Sequence, residues 1–123
     1  MARRLSESGE LRWVPTHVQV TVLQARGLIP KGKHGTNDAF AVIQLGTERF
    51  STSVLEKSRV PDWREECAFD LPPDLLDHHA GRSDLELRVT LLHRALLGPD
   101  RFLGQVTIDL PKVFARKARN KAE

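Results

Sequence analysis

At 123 residues, with a net charge of +3, 40% hydrophobic and 28% charged, the chain supports one globular domain with a modest core and excludes a disordered polymer. The N-terminus carries two arginines with no apolar run behind them, so no secretory signal is expected there. No stretch is long enough to span a bilayer, so the expectation is a cytoplasmic protein that meets membranes only peripherally.

Residues 1–12 read as a flexible tail. The first strand is His17 to Gln24, where Val18, Val20 and Val22 alternate with Gln19 and Thr21. Gly27, Pro30, Gly32 and Gly35 then break the chain into a loop. Asp38 to Leu45 is apolar on both faces, the mark of a buried central strand, and Gly46-Thr47 turns it back into a strand over Arg49 to Val54. Pro61 cannot donate to a sheet ladder and belongs in the next turn. Trp63 anchors the entry to a strand running from Arg64 to Leu71, in which Cys67, Phe69 and Leu71 alternate with Glu66, Ala68 and Asp70. A lone cysteine on the apolar side of a strand is a buried thiol that forms no internal disulfide.

Pro72-Pro73 opens a long connection with a short helix expected around Leu75 to His79. Leu85, Leu87, Val89 and Leu91 form the fifth strand. A second loop runs from His93 to Phe102 and contains Gly98-Pro99, and Val106, Ile108 and Leu110 form the sixth strand. Residues 111–123 carry a local charge of +4, leaving −1 on the rest: a basic segment behind a nearly neutral body. Short strands at this spacing predict an all-β antiparallel sandwich with Val20, Phe40, Phe69 and Val89 in its core.

Four groups of residues carry a family resemblance: L-Q-A-R-G-L at Leu23 to Leu28, G-T-N-D-A-F at Gly35 to Phe40, P-D-W-R-E-E at Pro61 to Glu66, and F-L-G at Phe102 to Gly104. Together they resemble a C2 domain of type II-like topology over residues 13–110. PTHVQVTVLQARGL, EKSRVPDWREECAFDLP and LHRALLGPDRFLG resemble, more narrowly, the N-terminal domain of the class I family-interacting proteins of the recycling-endosome GTPase Rab-eleven, the Rab-coupling protein family. The resemblance implies binding to acidic phospholipids, among them phosphatidic acid and phosphoinositides, and a peripheral place on recycling endosomes, vesicles and the plasma membrane. In that family the Rab-binding helix lies far downstream, so no GTPase contact is expected from these residues. The last two strands of the topology are also absent from the sequence, which predicts an open sheet edge.

C2 domains that bind calcium do so through aspartates on two facing loops, because a hard dication takes six to eight oxygens. Those positions fall at or near Gly32, at Asp38, and on His93, Ala95 and Arg101 of this chain. Only Asp38 matches, with Asp100 one place out of register, so the expectation is no metal and no cofactor. The loop tips are cationic instead. Lys31, Lys33, His34, His93, Arg94 and Arg101, with the apolar Ile29, Leu96 and Leu97, form the expected lipid-binding set. Cations near an acidic surface contribute about 1 kcal/mol each, and two partly buried leucines roughly 2 to 4 kcal/mol. For the loop, the alternative is that Leu96 and Leu97 pack beneath their own turn. For the function, the alternative is a protein-interaction domain that binds a polypeptide by an exposed sheet edge or face, without direct lipid binding.

Other candidates are weaker. Asp77-His78-His79 with Cys67 lacks paired zinc-ligand spacing, no nucleophile turn or phosphate-cradling glycine loop supports catalysis, and no basic stripe with interleaved aromatics supports nucleic-acid binding. Arg3-Arg4-Leu5-Ser6 resembles a basophilic kinase site.

Overall fold

The structure, a computed structural model, describes residues 2–5, 11–72 and 85–114. The helix expected over Leu75 to His79, the Asp77-His78-His79 run, Ser6 and most of the basic segment lie outside the described residues.

Among the described residues nine strands follow in chain order: β1 Ala2–Leu5, β2 Leu11–Val14, β3 His17–Gln24, β4 Asn37–Leu45, β5 Glu48–Ser51, β6 Leu55–Ser58, β7 Asp62–Asp70, β8 Glu86–His93 and β9 Arg101–Asp109. β3 has the bounds its valine alternation predicts. β4, β7 and β8 fall within two residues of expectation at each end. β1 lies inside the expected tail and β2 crosses its end, and the two pair antiparallel, Arg3 opposite Trp13. The strand expected over Arg49 to Val54 is two strands, β5 and β6, both paired with β4. Thr52 causes the break: its side-chain oxygen accepts from the Ala41 amide at 2.8 Å, and the Glu65 carboxylate takes the Ser53 amide at 3.1 Å. β9 begins at Arg101, inside the expected second loop, because a bulge between Leu91 and Leu92 lets Arg101 and Phe102 join the ladder opposite His93 and Leu92.

The sandwich has unequal layers. β3 and β7 form a two-stranded sheet, and β5, β4, β8 and β9, with β6 also on β4, form the other. Period-two alternation turns Val18, Val20 and Val22 of β3, with Cys67 and Phe69 of β7, towards Ala41, Ile43 and Leu45 of β4 and Leu87, Val89 and Leu91 of β8. Phe69 is fully buried and meets Phe50 edge to face, centroids 5.1 Å apart. Phe40 is not in this core. β4 is apolar on both faces, so its composition fixes no phase, and the backbone points Ala41 and Ile43 inward and Phe40 outward. Trp63 is buried as expected, its indole N–H donating to the Ser53 carbonyl at 3.0 Å. Cys67 is half-buried and not fully buried as expected, and this partial desolvation pushes its thiol above its ordinary pKa.

Two strands do not cover the wider sheet. A groove of about 380 Å³ opens between β3 and β9, lined by Val20, Val22, Trp63, Val89, Val106 and Ile108. Val106 is 53% exposed although its side chain shares a face with core residues. Among the described residues β3 pairs only with β7, and β9 only with β8, so each keeps an open edge. The core and groove are expected to respond differently to truncation. Urea denaturation should show Phe69→Ala costing about 3 to 5 kcal/mol and Val106→Ala less than about 1 kcal/mol. Equal losses would mean that the groove is closed in solution.

Candidate functional site

Three connections meet at one end of the sandwich: residues 25–36 after β3, 59–61 before β7, and 94–100 after β8. The Ala25 amide donates to the Pro61 carbonyl at 3.0 Å, tying the first to the second, and the Arg94 amide donates to the Asp38 carbonyl at 2.8 Å, tying the third to the start of β4.

In the first loop, Lys33–Gly35 forms a single 3-10 turn in which His34 takes φ 67° and Gly35 φ 75°. The Gly32 amide closes the turn onto the Thr36 carbonyl at 3.0 Å. Asn37, only 2% exposed, clamps the approach to this turn: its side-chain oxygen accepts from the Lys31 amide at 2.7 Å and its amide nitrogen donates to the Ile29 carbonyl at 3.3 Å. Lys33 and His34 therefore project from a held turn, with Ile29 67% exposed beside them and Lys31 half-buried.

The third loop is closed by a bond across its base, from the Ala95 amide to the Asp100 carboxylate at 3.0 Å. Gly98 turns the tip at φ 80°, a conformation open to glycine and strained for other residues. Leu96 and Leu97 stand at that tip, each 92% exposed. They do not pack beneath their own turn.

Two of the expected lipid-facing residues sit differently. His93 is buried, and its ring accepts from the Asp38 amide at 2.9 Å instead of facing solvent. Arg94 pairs with Glu56 at 3.1 Å on the surface. Among the described residues, Lys31, Lys33 and Arg101 have no carboxylate partner. The second loop contributes residues that the sequence reading left out: Arg59, whose guanidinium approaches Gly35, and the exposed Val60 beside it.

The sequence profile of the C2 domain matches residues 16–123. The chain belongs to the C2 domain family. It is 54% identical over 112 residues to Rab11 family-interacting protein 1 of Mus musculus, a match covering 90% of this chain and 17% of that protein. It is 50% identical over 125 residues to Rab11 family-interacting protein 5 of Homo sapiens, covering 87% and 19%. The chain thus spans less than a fifth of the length of these relatives. Among solved structures, the C2A and C2B domains of Extended-Synaptotagmin 2 superpose with a TM-score of 0.68 at 23% identity, covering 82% of this chain and 36% of that one. The RIM C2A domain from Drosophila does so with a TM-score of 0.62 at 23% identity, covering 77% and 75%.

C2 domains are non-catalytic adaptor modules, and among the described residues this one has seven strands in its sandwich, β3 to β9, where the complete fold has eight. At its loop end the two carboxylates nearest the family's metal positions are engaged by backbone. Asp38 accepts from the Lys57 amide at 2.9 Å, and Asp100 from the Ala95 amide. Among the described residues no three His, Cys, Asp or Glu side chains group as metal ligands would.

Asn37 is expected to matter more than its small size implies. Asn37→Leu would leave the Lys31 amide and the Ile29 carbonyl without partners in a half-buried setting, at about 1 to 3 kcal/mol. Chemical denaturation should report that loss, and the Lys31 amide should exchange with solvent faster; an unchanged exchange rate would remove Asn37 as the clamp.

Proposed function

We propose that this C2 domain docks on acidic membranes without calcium, through the apolar and cationic tips of its first and third loops. The observation that carries the reading is the near-complete exposure of Leu96 and Leu97 on a loop closed at its base, with Ile29 exposed on the first loop. Exposed large apolar side chains on a held backbone cost little ordering entropy on insertion, and two leucines are worth roughly 2 to 4 kcal/mol when partly buried. Lys31, Lys33 and Arg101 add electrostatic attraction of about 1 kcal/mol each near an anionic surface. The sum supports reversible attachment, which a second signal elsewhere in a longer protein would strengthen.

Calcium independence follows from the chemistry of the loops. His93, Ala95 and Arg101 offer no carboxylates, and Asp38 and Asp100 already accept hydrogen bonds from backbone. By its likeness to the Rab11 family-interacting proteins, the domain serves as the peripheral membrane-binding part of an adaptor that acts in endosomal recycling, binding phosphatidic acid or phosphoinositides. Contact with the GTPase is assigned to other parts of such an adaptor. A second reading, a domain that binds a polypeptide, is favoured by the open edges of β3 and β9 and the apolar groove between them, where an extended segment would add as a strand.

Vesicle sedimentation distinguishes the two. The chain should bind phosphatidylcholine vesicles containing phosphatidylserine or phosphatidic acid, equally in calcium and in chelator, and should release as salt rises, since exposed charges are screened over about 10 Å at 0.1 M. Lys33→Glu with Arg101→Glu should abolish binding with the melting temperature unchanged. Leu96→Ser with Leu97→Ser should leave a weaker, more salt-sensitive attachment. Normal binding by the charge-reversed variant would favour the polypeptide reading.

A further inference from the structure

His93 ends β8, opposite Ala39 of β4 on one side and Arg101 of β9 on the other. The residue is 8% exposed, and its ring Nδ1 accepts from the Asp38 amide at 2.9 Å. A ring nitrogen that accepts carries no proton, so this bond assigns the neutral imidazole with its hydrogen on Nε2. One residue later the Arg94 amide donates to the Asp38 carbonyl at 2.8 Å. Asp38 is thus held at both its backbone N–H and its C=O by two consecutive residues. That clasp joins the end of the first loop to the beginning of the third.

The ring has a second contact. A Cβ placed on Gly32 would lie 3.0 Å from His93 Cε1 and 2.6 Å from the Thr36 carbonyl oxygen. Gly32 has φ −88°, which any residue adopts, so what it supplies here is room. The Lys31-Gly32-Lys33 segment therefore rests against the imidazole edge. The surrounding charges are directed elsewhere: the Asp38 carboxylate accepts from the Lys57 amide, the Arg94 guanidinium pairs with Glu56, and Lys33, His34 and Arg101 are exposed.

We infer that His93 is a positioning residue for membrane docking: its imidazole bonds Asp38 and seats Gly32, and so sets the spacing between the cations of the first loop and the leucines of the third. It joins the loops through one uncharged hydrogen bond, where carboxylate-rich loops are joined by a shared cation. This rests on the docking reading above.

Asparagine and leucine test the inference as a pair, because they have nearly the same shape and the Asn side-chain oxygen stands where His Nδ1 does, while leucine has no acceptor. Two readouts apply: hydrogen exchange of the Asp38 amide in the free chain, and affinity for phosphatidylcholine vesicles containing phosphatidylserine, in chelator. His93→Asn should keep the Asp38 amide protected and, having lost the imidazole edge against Gly32, bind more weakly than wild type but more tightly than His93→Leu. His93→Leu should lose the protection and bind more weakly by up to about tenfold, the upper range for one net hydrogen bond. Equal behaviour of the two variants would overturn the inference, since the acceptor would then be irrelevant. Should His93→Leu not fold, Gly32→Ala, whose Cβ would meet the Thr36 carbonyl at 2.6 Å and the ring at 3.0 Å, must shift the loop from the ring and should weaken vesicle binding, whereas wild-type affinity in that variant would overturn the inference. A wild-type chain that ignores the vesicles would overturn the docking role, and the exchange comparison would still decide the clasp.

Discussion

The packing of one two-stranded sheet against a wider one, with Phe69 pressed among Ala41, Ile43, Leu45 and Leu87, is what the rest of the structure depends on. It fixes where β4, β7 and β8 end, and those strand ends fix where the three loops begin. β4 bears most of this burden. It pairs with β5 and β6 on one side and β8 on the other, so its first residues, Asn37 and Asp38, are placed by the core and not by the loops they organise. Burial of this inner face stabilises the fold through area alone. The directional bonds at the strand ends then decide what the loops look like.

At that end a small set of neutral or backbone-directed contacts does the holding. Asn37 and Asp100 each close a loop onto itself, and His93 with Arg94 joins one loop to the other through Asp38. None of these bonds requires a metal, and among them only Asp100 contributes a charged acceptor. Such an arrangement leaves Lys33 exposed on the first loop and Arg101 exposed at the first residue of β9, at the end of the sandwich that also exposes Leu96, Leu97 and Ile29. A surface combining apolar tips with cations complements the interface of an anionic bilayer, where the tip enters the acyl boundary and the charge remains at the headgroups. The same sheets carry a second feature with a different use, the groove between β3 and β9. It is built mainly from β3, β8 and β9 and reaches the first loop at Ala25.

Much of the fold was legible in the sequence, because a two-residue period states both that a strand exists and which face is buried. Val18, Val20 and Val22 placed β3 to the residue. Legibility failed where the period was silent or where a distant partner decided the outcome. β4 is apolar on both faces, so its phase was open and Phe40 was assigned to the wrong side. The interruption between β5 and β6 depends on Thr52 and Ser53 finding partners on β4 and β7. Arg3-Arg4-Leu5 has no alternation to announce a strand. At the site, the tip leucines and the cations were readable, but His93 was grouped with them because nothing local marks a ring whose partner lies 55 residues away. Asn37 carried a faint signal, an Asx residue at a loop end just before a strand, of the kind that bonds local backbone.

The central claim is that the loop end, and not a sheet edge or the opposite turn, enters the membrane. A spin label at Leu97→Cys, in a Cys67→Ala background, measures this directly by its accessibility to oxygen and to a water-soluble relaxant on phosphatidylserine-containing vesicles. A label at Thr47→Cys, in the turn between β4 and β5 at the other end, is the control. The account predicts that the label at position 97 becomes lipid-exposed in chelator and is unchanged by calcium, while the label at position 47 stays in water. A label at position 97 that remains water-exposed on vesicles that nevertheless bind the chain would contradict it.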